Sequence, residues 1–424
     1  MTVLRALGLG LALTGLGCDG VNTVANPEVP LWVHHPGSAL SIHGRRPLTS
    51  PSLKLGEPYE KGRPAIDVAH RRLFVGSRDH GLYSLDASDL SIRWRFETAG
   101  AVQSEPLYNL KEDAVYFGSN DGALYKLRAV DGSMQWRFAS NAQVRRPPIL
   151  HQGRLFFVNA NDTLIALDPK TGKLLWYQHR EPAAGMEISG YAGVAAIDER
   201  VYTSFSDGVV MAYRTDNGAE AWNAPVDLSA DAQQVRDEDL RYFDADATPV
   251  PGLAEGRPVI YVASYEGGVY ALDASTGEQV WSNDAAIGVS DLVLWDAPAR
   301  PREGEPPGAR RHRVLLASSG LTGITGLDPD AGSELWRRDV PSGGVTRPEP
   351  WSGVLLVGTT RYGLFLMHPL DGSVIDGVYH GGSFAADPVA YGKRAFIMSN
   401  DGNLYGLSVK PPRRLDPFFR TARP

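Results

Sequence analysis

The 424-residue sequence has a single cysteine, Cys18, so no intrachain disulfide forms and no site built on paired cysteines is possible. None of the ten histidines sits in an H-E-x-x-H pattern, and no Cys/His spacing fits a zinc site. A G-x-S-x-G nucleophile elbow is also missing. There is no basic excess: 42 Lys and Arg stand against 49 Asp and Glu, a net charge of −7. Nucleic acid is thereby set aside as a partner, because phosphate binding needs a basic face. No apolar run reaches the ~20 residues that span a bilayer, and no long segment carries the 3.6-residue period of an amphipathic helix.

What is present begins at the N-terminus. Arg5 precedes an apolar run, Ala6 to Leu16, and then Gly17-Cys18. A short positive start, an apolar stretch and small residues at the cut describe a secretory signal over residues 1–17. The sole cysteine stands where a bacterial lipoprotein signal places the residue that is acylated and becomes the new N-terminus. The usual leucine three residues before it is replaced by Gly15. Cys18 is therefore expected to carry a lipid that holds the chain on a membrane without crossing it. Residues 18–49 show no sustained period and several Pro and Gly, which reads as a tether.

From about residue 63 the chain repeats itself. Six of the phrases start at a proline: Arg63-Pro64, Glu105-Pro106, Pro147-Pro148, Thr248-Pro249, Arg347-Pro348 and Asp387-Pro388. A β-branched or aromatic run follows, such as VYFGS at 115–119, then a tight turn and an alternating strand such as DGALYKL. A second turn ends in Gly, and four residues later comes Trp: Gly132 to Trp136, Gly172 to Trp176, Gly218 to Trp222, Gly277 to Trp281 and Gly332 to Trp336. The first copy keeps Trp94 without the glycine. Asp-Gly and Asn-Gly pairs between alternating strands are strong hairpin signals, since type I′ turns need positive φ at both central positions. Successive Trp residues are 42, 40, 46, 59 and 55 apart, and a four-stranded propeller blade takes ~40–50 residues. The two long spacings hold insertions near 225–246 and 298–312.

Seven phrases have both turns, although the seventh has Asp376 where Trp is expected. The eighth, from Asp387, stops after three strands. A propeller must close its ring, because an open edge exposes unpaired backbone groups. The missing outer strand is expected from the N-terminal side, at SPSLKLG, residues 50–56. The expected fold is all-β: one eight-bladed β-propeller of four-stranded antiparallel blades over residues 50–411, closed by the N-terminal strand, with a tail at 412–424. The six phrase-ending Trp residues read as packing between blades, where each large ring buries ~150–250 Å².

One insertion stands out chemically. Residues 226–250, VDLSADAQQVRDEDLRYFDADATPV, are rich in acids and lead into the fifth blade. Asp244 and Asp246, at i and i+2, fit an acid/base pair, a metal site, a face for a basic partner, or a solvated loop.

The repeated A-L-D-x-x-T-G-x-x-x-W phrase resembles the propeller repeats named for pyrroloquinoline quinone enzymes. Within that group the chain is similar to the BamB family, lipoproteins of the bacterial outer-membrane β-barrel assembly machinery. The shared features are the lipobox, the tether, eight blades and N-terminal closure. The family segment of arginine, two residues and D-x-D-x-T-P-V stands here as RYFDADATPV, Arg241 to Val250. The resemblance implies a non-enzymatic scaffold without a cofactor or small-molecule substrate. It implies binding to the barrel-forming subunit, with Arg241, Asp244 and Asp246 as contacts. It places Cys18 as a lipid anchor at the periplasmic face of the outer membrane. Two departures accompany it. PAAGMEISGY, 182–191, lacks the arginine of a second family contact, and Asp19 follows the lipidated cysteine, a residue that retains lipoproteins in the inner membrane of enteric bacteria. Two other readings are a lipid-anchored propeller with a different binding role and a quinoprotein dehydrogenase. The latter's quinone normally rests against a vicinal disulfide, which one cysteine cannot make.

Overall fold

A computed structural model describes residues 39–49, 59–182, 192–228, 244–299, 310–340, 343–378 and 383–410. Cys18, Arg241 and the 50–56 segment lie outside them. The described residues form eight four-stranded sheets, and every element named among them is a strand. Each sheet is one blade of an eight-bladed β-propeller. In seven blades the four strands follow one another in the chain, all antiparallel.

The repeated phrase explains each blade. In the second, the strands are Leu107–Asn109, Ala114–Gly118, Ala123–Arg128 and Met134–Ala139. The two middle strands are almost wholly buried, while the outer strand alternates between exposed and half-buried positions. That contrast follows from location: middle strands lie between neighbouring blades on both faces, and the outer strand lies on the circumference. The core is correspondingly a ring. Eight apolar clusters each join residues of two adjacent blades, from Phe74 and Phe117 between the first and second to Leu73 and Phe396 between the eighth and first.

The tryptophans make the same junction six times. Each indole N–H donates to a backbone carbonyl of the next blade: Trp94 to Ala129, Trp136 to Pro169, Trp176 to Thr215, Trp222 to Ala274, Trp281 to Pro329 and Trp336 to Pro369, at 3.0–3.2 Å. The ring lies on the glycine of the next blade's second turn. At Gly172, with φ +68°, a Cβ would sit 2.7 Å from Trp136. Both the left-handed backbone and the close approach call for glycine there. The phrase glycine and the phrase tryptophan are thus two halves of one contact between successive blades.

The ring closes as an N-terminal strand completes the eighth blade, but the strand is Leu40–Pro47, not 50–56. It pairs antiparallel with Asn403–Val409, from Leu40 opposite Val409 to Pro47 opposite Asn403. The propeller therefore starts within the stretch read as tether. LSIHGRRP hid its character because a bulge between Ile42 and Gly44 breaks the alternation.

This closure accounts for the two irregular phrases. No second turn exists in the eighth blade, so a seventh-blade tryptophan would have no glycine to lie on. Asp376 stands there instead, and its Oδ2 accepts hydrogen bonds from the backbone N–H groups of Ala39 and Leu40, both 2.8 Å. At the next junction the bulk is exchanged. Gly44 holds the tryptophan position, opposite Gly406, and Leu90 replaces the turn glycine, at φ +61°. The Leu90 side chain reaches to within 3.1 Å of where a Gly44 Cβ would lie, and its carbonyl accepts from Arg46 Nε at 2.8 Å.

The insertion near 298–312 is partly strand. Val289–Pro298 and Arg311–Ser319 pair as a long hairpin whose tip, 300–309, lies outside the described residues.

Candidate functional site

The first strands of the blades converge on the propeller axis, and the prolines of the phrase determine what they present. A residue before proline is pushed toward extended backbone. Six such residues, Arg63, Glu105, Arg146, Thr248, Arg347 and Asp387, line a central cavity of about 410 Å³. Lys61, Arg145, Gln103, Ser290 and Asp291 also line it. Sequence reasoning passed over these positions. The signal was a charged residue before proline in five of the six phrases.

Two arginines knit the axis together. Arg63 donates from Nε to the Pro388 carbonyl (2.9 Å), pairs through Nη1 with Glu105 and donates through Nη2 to Glu349 Oε2 (2.9 Å). It thereby ties the first blade to the eighth, second and seventh. Arg146 of the third blade crosses to Asp291 of the sixth (3.2 Å) and donates to the Asp246 carbonyl (2.8 Å). Burial alone would lower the affinity of these guanidiniums for a proton. The surrounding carboxylates outweigh it and raise both above the ordinary arginine value.

Asp387 shows the opposite balance. Burial, reinforced by the charge of Asp291, pushes its carboxyl up to about 7, against the pull of the Arg347 N–H, which donates to Oδ1 at 2.8 Å, and of the Arg347 and Arg63 charges. The sign of the consequence is fixed. The folded protein retains this proton between its ordinary value of 3.8 and about 7, and the unfolded chain does not. Stability contributed by the group is present below about pH 4 and is lost as pH rises toward 7. Asp387→Asn, neutral throughout, is expected to flatten the pH dependence of stability between pH 4 and 7. Urea midpoints across that range measure it.

Asp244 and Asp246 lie inside the protein rather than on a projecting loop; each is 3% exposed. They flank Ala245 on the lead-in to the fifth blade, beside the equally buried Ala247. The Asp244 carbonyl accepts from Tyr265 N (2.8 Å), and Thr248 Oγ1 accepts from Gly193 N (3.0 Å). Through Arg146 and Thr248 this lead-in is continuous with the central cavity. Among the described residues, the one grouping of three candidate metal ligands is elsewhere: Asp67, His70 and Asp113. Arg72 occupies its middle, donating to Asp67 at 2.7 Å and pairing with Asp113, and supplies the positive charge that a metal would.

The family described as outer membrane protein assembly factor BamB matches residues 104–297, 232–376 and 285–415. The chain belongs to the BamB family. The outer membrane protein assembly factor BamB of Legionella pneumophila (strain Paris) is 24% identical over 54% of this chain. That alignment spans 53% of the relative, so the chain covers about half the length of this BamB protein. The solved structure of BamB from Moraxella catarrhalis shares the fold with a TM-score of 0.66, covering 87% of this chain and 99% of that one at 17% identity. A quinohemoprotein alcohol dehydrogenase of Comamonas testosteroni is 27% identical over 44% of this chain but only 24% of its own length. Among the described residues no helix is long and apolar enough to cross a membrane.

Proposed function

We propose that this chain is a non-enzymatic scaffold in outer-membrane protein assembly, anchored by a lipid on Cys18 at the periplasmic face of the outer membrane. The observation that carries the reading is the BamB family match across residues 104–415, which includes the acidic lead-in to the fifth blade. A rigid ring of eight blades with loops on its faces suits a binding platform. The partner in this reading is the barrel-forming subunit of the assembly machinery. It docks beside the Asp244–Val250 lead-in to the fifth blade. Asp244 and Asp246 act from within, setting the path of the segment, and Arg241 belongs to the part that meets the partner. The dehydrogenase alternative is disfavoured by chemistry, since Cys18 has no second cysteine in this sequence to pair with.

Two variants test the segment. Arg241→Glu, and the isosteric pair Asp244→Asn with Asp246→Asn, are expected each to reduce recovery of the barrel-forming subunit in a pull-down at least tenfold. The melting temperature of Arg241→Glu is expected to match the parent protein. Undiminished recovery in both variants would remove this segment from the interface.

A further inference from the structure

The central cavity contains two buried polar atoms that the fold leaves unsatisfied. Arg347 Nε, a cationic donor, has no acceptor among the described residues. Among the described residues Gln103 Oε1 has no donor, and the side chain is otherwise held by a long bond from Nε2 to the Tyr59 carbonyl (3.4 Å). Gln103 is 4% exposed, so this acceptor cannot turn freely to bulk water. Both residues line the same cavity. Leaving a buried donor or acceptor unmade costs about 1–3 kcal/mol, more when it is charged, and such groups in a native fold call for an explanation.

The charge around them is also biased. Five cationic side chains line the cavity against three carboxyl groups, in a chain whose net charge is −7. One of the three, Asp387, is pushed toward the neutral acid. Arg63 and Arg146 are engaged by Glu105, Glu349 and Asp291 as described, so the unmet cationic donor is that of Arg347.

We infer that the central cavity binds an acidic polypeptide segment, with a carboxylate accepting from Arg347 Nε and a peptide N–H donating to Gln103 Oε1. The two unmet groups ask for opposite partners, and an acidic peptide carries both within a few ångströms. A carboxylate on a guanidinium forms a charge-assisted hydrogen bond, roughly twice as strong as a neutral one. A small polycarboxylate shares half of this chemistry: it satisfies Arg347 but offers no N–H to Gln103. The inference does not depend on which protein supplies the segment or on the role proposed for the acidic lead-in.

The test is isothermal titration of the purified chain with a blocked peptide, acetyl-Gly-Glu-Glu-Gly-amide, and separately with citrate. The peptide is expected to bind saturably. Arg347→Gln is expected to weaken it at least tenfold, and Gln103→Leu to weaken the peptide while leaving citrate unchanged. Equal loss of citrate and peptide in Arg347→Gln, with no effect of Gln103→Leu, would overturn the peptide assignment in favour of a small carboxylate site. Absence of saturable binding by either probe, or binding undiminished in both variants, would overturn the site altogether. Far-ultraviolet circular dichroism and melting curves verify folding. Should Arg347→Gln fail to fold, Gln103→Leu carries the test alone.

Discussion

Asp376→Trp, which installs the residue that six other blades carry at this position, is expected to destabilise the protein rather than perfect it. Each tryptophan gains from a carbonyl and a turn glycine in the following blade. The eighth blade has no such turn, because its outer strand enters from the N-terminus. The substitution would remove two bonds from the start of that strand, to Ala39 N and Leu40 N, within a site where Asp376 is 1% exposed. Hydrogen bonds to a charged group contribute about 1.5–3 kcal/mol each, so the loss is of order 3–6 kcal/mol before any cost of fitting the indole. The effect should be local to the closure. Hydrogen exchange is expected to rise first at Leu40–Pro47 and Asn403–Val409, the two strands of the seam. Asp376→Asn, which keeps one carbonyl acceptor, should fall between the parent and the tryptophan variant. A tryptophan variant as stable as the parent would mean that Asp376 does not hold the ring shut.

Trp222→Ala is expected to cost about 3–5 kcal/mol, the range for removing a large buried aromatic. Trp222 is 3% exposed, lies against Gly277 and donates to the Ala274 carbonyl at 3.2 Å. It also packs on Tyr202, with ring centroids 5.8 Å apart. Removing it leaves a cavity and an unmet carbonyl at one inter-blade junction. Trp222→Phe retains most of the apolar contact and loses the N–H donor, so it separates the two contributions. Chemical denaturation of the parent and both variants gives the ordering: parent, phenylalanine, alanine. An alanine variant within 1 kcal/mol of the parent would refute the junction role assigned to the phrase tryptophan.

The fold was legible in the sequence because propeller repeats encode their own junctions. Turn pairs with positive φ, buried middle strands and a Gly-to-Trp spacing are each local signals, and they agree. The register of closure was less legible. Leu40–Pro47 carries a bulge, ends in Arg45-Arg46-Pro47 and precedes another apolar-alternating stretch at 50–56, so pattern alone favoured the wrong neighbour of the first blade. Asp376 and Leu90 looked like defects in the repeat, and only the three-dimensional seam shows them as fitted exceptions. The candidate site was read less well. Asp244 and Asp246 look like a charged loop in the sequence, yet the structure buries them beside the axis. Conversely, the charged residues before the phrase prolines gave no motif, because each belongs to a different blade. Only closure of the ring brings Arg146 across to Asp291, 145 residues later in the chain.

The most direct test of the account is affinity purification of the C-terminally tagged chain from membranes of its native organism, followed by mass spectrometry. Enrichment of the barrel-forming subunit and the other lipoproteins of the assembly machinery is the predicted result. A preparation free of them, with the propeller folded and membrane-bound, would contradict the scaffold role and leave the eight-bladed architecture standing.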